Sequence, residues 1–83
     1  MKVMPNPFYQ EAIIQYHLAK ESEVAIQILD INGKIVQQLG NNSIQSRGLH
    51  EIRLSNHQMQ SGMYYIFLIT PEAMISQKVI LIK

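Results

Sequence analysis

The sequence contains no cysteine. No disulfide can brace it and no thiolate metal site can form in it, while the redox compartment stays open. An excess of charge of one sign is also missing. Seven Lys and Arg stand against six Asp and Glu, a formal net charge of +1, and they are scattered along the chain. With no basic run and no acidic tail, the pattern points away from nucleic acid as a partner. Long apolar runs are absent too. MYYIFLI, Met63 to Ile69, is the longest, well short of the ~20 residues a membrane-spanning helix needs. The opening MKVMPNPFYQ lacks the apolar region of a signal peptide. Two readings follow: a cytosolic chain, or one piece of a longer protein. There is no glycine-rich phosphate loop, no HExxH, no internal repeat and no low-complexity segment.

What is there is alternation. The 83 residues, 47% of them hydrophobic, suit one small globular domain. Ile14, Tyr16 and Leu18 share one face of EAIIQYHL, with Gln15 and His17 on the other. Val24, Ile26 and Ile28 share a face of VAIQI, and His50, Ile52 and Leu54 alternate with Leu49, Glu51 and Arg53. Period two is the mark of a half-buried strand. MYYIFLI is apolar on both faces, which suits a central strand covered on both sides. The expected strands are residues 11–18, 23–29, 34–39, 43–46, 49–54, 63–70 and 75–82. Turn-forming stretches such as DINGK, GNNS, SRG and TPEA separate them. A strand about every 10 residues is the cadence of an all-β sandwich or small barrel.

In DINGK, Asp30 can accept backbone N–H groups two residues on, and Gly33 takes left-handed angles at no steric cost. Either Asn32-Gly33 is a two-residue type I′ loop, or Asp30 to Gly33 is a type I turn with a glycine bulge. Both make a hairpin of the flanking strands. A calcium loop is ruled out, because its alternating ligands and distant Glu are missing.

Residues for chemistry do not converge. His17, His50 and His57 are far apart in sequence, with His17 facing out and His50 in. The carboxylates are dispersed, mostly in loops, so a paired acid and base has no support. Tyr64 and Tyr65 are neighbours on one strand and point to opposite faces, so one belongs to the core. Met59 and Met63 read as core fillers. The residues therefore point to a protein that is not an enzyme, with no metal and no cofactor.

The order of features is more specific than any one of them. MPNPF is followed by the strand from Ile14 to Leu18, then by VAIQILDINGKIVQQL, RGLHEIRL, MQSGMYYIFL and QKVILIK. This series resembles the C-terminal sorting domain of the type IX (Por) secretion system of Bacteroidetes, over nearly the whole chain. Pro5, Asn6 and Pro7 match that family's opening. Asp30, Gly33 and Lys34 match its hairpin turn, Gly48 and His50 its G-x-H strand, Gly62 and Tyr64 its G-x-Y strand, and Lys78 and Lys83 its terminal strand. Met4 stands where an aromatic is usual and Leu54 where Trp is common.

The resemblance implies an Ig-like antiparallel β-sandwich of about seven strands. Residues 1–10 form the linker from an upstream cargo and the start of the domain, and residues 11–83 the sandwich. The implied role is a sorting signal, recognised in folded form by the outer-membrane translocon. A sortase-like peptidase then cleaves it from the cargo, which passes through the periplasm to the outer-membrane surface or the medium. Partners are the translocon, the peptidase and the upstream cargo, with an edge-strand homodimer as a further option. On this reading Pro5 and Pro7 mark the linker, and Lys78 and Lys83 either dock a receptor or guard a sheet edge. The chain is also similar to the Ig-like domain of the flagellar hook-capping protein, which implies the alternative of a structural or adhesive module acting as spacer or assembly surface.

Overall fold

The computed structural model describes residues 1–83, Asn41 excepted, and turns the alternation into seven strands. They are β1 (Lys2–Met4), β2 (Glu11–Leu18), β3 (Ser22–Leu29), β4 (Ile35–Gln45), β5 (Gly48–Ser55), β6 (Gly62–Ile69) and β7 (Met74–Leu81). They form two sheets, a three-stranded one ordered β1-β2-β5 and a four-stranded one ordered β4-β3-β6-β7. Every strand pair is antiparallel. The sheets bury their inner faces against each other, as a sandwich must. From β2 come Ala12, Ile14, Tyr16 and Leu18, and from β3 Val24, Ile26 and Ile28. Leu54 comes from β5, Tyr64, Ile66 and Leu68 from β6, and Val79 and Leu81 from β7. The expected Ig-like sandwich is thus the fold.

DINGK closes the β3–β4 hairpin as a type I turn with a glycine bulge. The Gly33 N–H donates to the Asp30 carbonyl at 3.0 Å, and the Asp30 N–H to the Lys34 carbonyl at 2.9 Å. The Asp30 carboxylate accepts the N–H groups of Asn32 and Lys34 at 2.9 and 3.0 Å. Gly33 alone in the loop has a left-handed φ, +84°. A type I′ loop needs such an angle at both central residues, so that alternative is excluded.

Four expectations are corrected. The stretches 34–39 and 43–46 are one strand. Gly40 and Asn42, which read as a turn, have φ of +79° and +54° inside β4. They accommodate a register shift against β3 between Val24 and Ile26, so the chain bulges there without reversing. β6 is central in its sheet, but only one of its faces is covered: Tyr65 and Met63 lie exposed on the outer side. Met63 therefore fills no core gap, whereas Met59 is buried. A strand also precedes residue 11. β1 pairs with β2, matching Val3 to Ile14, and both Val3 and Phe8 are buried.

Candidate functional site

The prolines explain how one short segment serves both sheets. β1 runs along the edge of the three-stranded sheet as far as Met4. Pro5 and Pro7 then remove two ladder donors, and pairing stops. The chain crosses to the other sheet, where Phe8 forms a parallel bridge beside Leu81 on the outer edge of β7. The Phe8 N–H donates to the Ile80 carbonyl and the Ile82 N–H to the Phe8 carbonyl, both at 2.9 Å. Two residues earlier, the Asn6 carboxamide substitutes for a strand backbone. Its Nδ2 donates to the Lys78 carbonyl and its Oδ1 accepts the Ile80 N–H, both at 3.1 Å. Pro5-Asn6-Pro7-Phe8 is therefore a clamp on the second half of β7, not an open linker.

The same end of the sandwich holds most of the other singled-out residues. Tyr64, at the start of β6, reaches back to the preceding connection. Its hydroxyl donates to the Gln60 carbonyl at 2.6 Å and accepts the Gln60 N–H at 3.1 Å. This is the tyrosine corner of Ig-like sandwiches, and it accounts for the Tyr of Gly62-Met63-Tyr64. Ser61 accepts the Lys83 N–H at 3.0 Å and ties down the last residue. Lys34, Lys78 and Lys83 are exposed, with backbone groups used by Asp30, Asn6 and Ser61 respectively. Only Gly48 and His50 lie at the opposite end, where Gly48 faces Leu18 and His50 faces Tyr16. The His50 ring stacks on Tyr16 with centroids 5.5 Å apart and donates through Nε2 to the Ser46 carbonyl at 2.7 Å. The Tyr16 hydroxyl meets Gln45 on the other sheet. Burial pushes the Tyr16 phenol above its ordinary value of 10.0, and the Gln45 hydrogen bond partly opposes that rise.

At that opposite end a hollow of about 220 Å³ opens between the two sheets. Leu18, Ala19, Leu68, Ala73 and Ile75 line it, and Lys20 and Glu72, 2.5 Å apart, pair across its rim. His17, Ser22 and Thr70 complete its polar lining. Among the described residues, no three His, Cys, Asp or Glu stand close enough together to hold a metal ion.

Both outer surfaces carry exposed apolar side chains, Met4 and Leu49 among them on the three-stranded sheet. On the three-stranded sheet, Gln15 donates to Glu51 and Arg53 approaches Glu11. On the four-stranded sheet, Tyr65, Met63, Met74 and Ile80 are exposed.

The sequence matches the family model of the secretion system C-terminal sorting domain over residues 2–83. The chain belongs to this family. No curated protein and no solved structure matches it. The match begins at the first residue of β1, so the clamp is part of the sorting domain and not an appendage to it. Membership makes this chain a type IX sorting signal, a tail of a longer chain sent toward the outer membrane or cell surface. Phe8 and Ser61 escaped the reading of the sorting domain's sequence. For Phe8 the available signal was an aromatic placed just after the two prolines, an apolar anchor where a solvated linker has no use for one.

Proposed function

We propose that this sorting domain is read in its folded state by the outer-membrane translocon, and that its own side chains carry out no chemistry. One observation carries the reading. Asn6, Asp30, Gly33 and Tyr64, which match the family's pattern in the sequence, are engaged in holding turns, edges and core, with Phe8 buried beside them. A receptor that selected the unfolded chain would place no demand on a hairpin bulge or a tyrosine corner. Separation from cargo, by a sortase-like peptidase, is assigned to the chain before Lys2. Residues 2–8 are fixed at both ends by β1 and Phe8, and a peptidase needs an extended, yielding substrate.

The test is a reporter directed to the periplasm and fused ahead of residues 1–83, expressed in a bacterium with a working type IX system. The parent fusion reaches the medium or surface. Ile26→Asp, which puts a charge into a fully buried site while sparing every motif residue, abolishes export. Export of a fusion that circular dichroism shows to be unfolded would contradict recognition in folded form. Sequencing the N-terminus of the released tail locates the cut.

A further inference from the structure

We infer that the first half of β7, Met74 to Lys78, together with the hollow beside it, is a strand-docking site. An extended segment of the recognising protein adds to this edge and seats one uncharged apolar side chain against Leu18, Leu68 and Ile75. The inference rests on the reading that the domain is recognised folded.

The edge comes first. Ile80 turns both its N–H and its C=O outward, to Asn6 and Phe8. β7 pairs with β6 without a register shift from Met74 to Leu81. Backbone direction alternates along an antiparallel strand, so Ser76 and Met74 also turn outward, as does Lys78. The clamp uses the Lys78 carbonyl and ends there. The Lys78 N–H, both groups of Ser76 and the Met74 carbonyl have no hydrogen-bond partner among the described residues. A row of unpaired donors and acceptors at strand spacing is complementary to another strand.

The remaining edges are blunted. β1 has three residues. β4 is interrupted by its bulges. β5 carries Glu51 and Arg53 on its outer face, and its last carbonyl, of Ser55, accepts a hydrogen bond from Gln37 at 2.9 Å. The free stretch of β7 has neither proline nor bulge, and its one charge is Lys78 at the end beside the clamp.

The hollow selects the side chain. Ile75 points inward by the parity of Val79 and Leu81, both buried, yet it is 47% exposed because the sandwich is open there. Lys20 and Glu72 neutralise each other at the rim, His17, Ser22 and Thr70 complete the polar lining, and the rest of the lining is aliphatic, so the site favours an uncharged apolar group. A second copy of this chain is the poorer occupant. Its edge is free over the same five residues, and its own Ile75 already lines its own hollow. An independent strand has no such limit.

Ser76→Pro is the direct test. Proline removes the outward N–H and its ring obstructs an added strand, while the bonds to β6 run through the neighbouring residues. The same reporter fusion is used. The variant keeps the parent circular dichroism, yet its export falls at least about tenfold; Ser76→Ala exports like the parent. Should the proline variant fail to fold, Ile75→Lys, at a half-exposed position, lowers export to the same degree by charging the mouth of the hollow. Parent-level export of either variant in folded form overturns the inference. So does a stable dimer of residues 1–83 in sedimentation that Ser76→Pro breaks, since the occupant is then a second copy. The sorting reading fails separately, if the unaltered fusion stays in the periplasm.

Discussion

The two halves of β7 are neighbours in one strand and opposites in their treatment. From the Lys78 carbonyl onward, Asn6 and Phe8 take up the outward backbone groups and Ser61 holds the last N–H. From Met74 to Ser76 the edge is bare, and the core behind it opens into a hollow. The protected half is held by residues with special bonding chemistry: proline that cannot pair, an Asn amide that imitates a strand, a serine hydroxyl that takes up the last N–H. The bare half is built by methionine, isoleucine and serine, which could stand in any strand. Motif residues thus mark where the fold is held. A surface for a partner lies where the chain leaves its bonding capacity unspent.

Substitutions in the two regions can break or sharpen this contrast. Phe8 is fully buried, and Phe8→Ala is expected to cost about 3–5 kcal/mol in urea unfolding. Ile75→Ala, at the hollow, is expected to cost under ~1.5 kcal/mol because half the side chain is already in water. Equal losses would erase the distinction. Tyr64→Phe removes two partly buried hydrogen bonds to Gln60 and is expected to cost about 1–2 kcal/mol. Gly33→Ala meets no atom within 4 Å, so its expected cost of about 1 kcal/mol is purely that of the left-handed backbone. Smallest is Glu72→Ala on the rim, where both partners are about two-thirds exposed. Its expected effect is below ~0.5 kcal/mol and vanishes in high salt.

A pH titration separates Tyr16 from these. Its folded-state pKa is raised above the unfolded value of 10.0, chiefly by burial. The corresponding stability is complete below pH 10 and declines as pH climbs from there toward the raised folded value. Tyr16→Phe should remove that tyrosine's share of the alkaline decline, which urea midpoints at neutral and alkaline pH will show.

Much of the fold was legible because its determinants are local. Alternation placed β2, β3, β5, β6 and β7 to within a residue or so, and inward parity named Ile14, Tyr16, Val24, Ile26, Ile28 and Leu54 for the core. Asp30 and Gly33 announced a hairpin. What failed was non-local. Gly40 and Asn42 carry a turn's residues, but the continuation of β4 along β3 converts them to a bulge. Pro5 and Pro7 do end a strand, as their missing N–H groups require. Their flanking residues join two different sheets, which no neighbouring residue could disclose. The bare stretch of β7 was equally hidden, because an edge is unpaired only by virtue of what is not beside it.

Native-state hydrogen exchange along β7 tests the central contrast most directly. The amides of Ile80 and Ile82, bonded to Asn6 and Phe8, should exchange at least ~100-fold more slowly than those of Ser76 and Lys78, and Asn6→Ala should release Ile80 alone. Uniform protection from Met74 to Ile82, or an Ile80 amide indifferent to the loss of Asn6, would contradict the account.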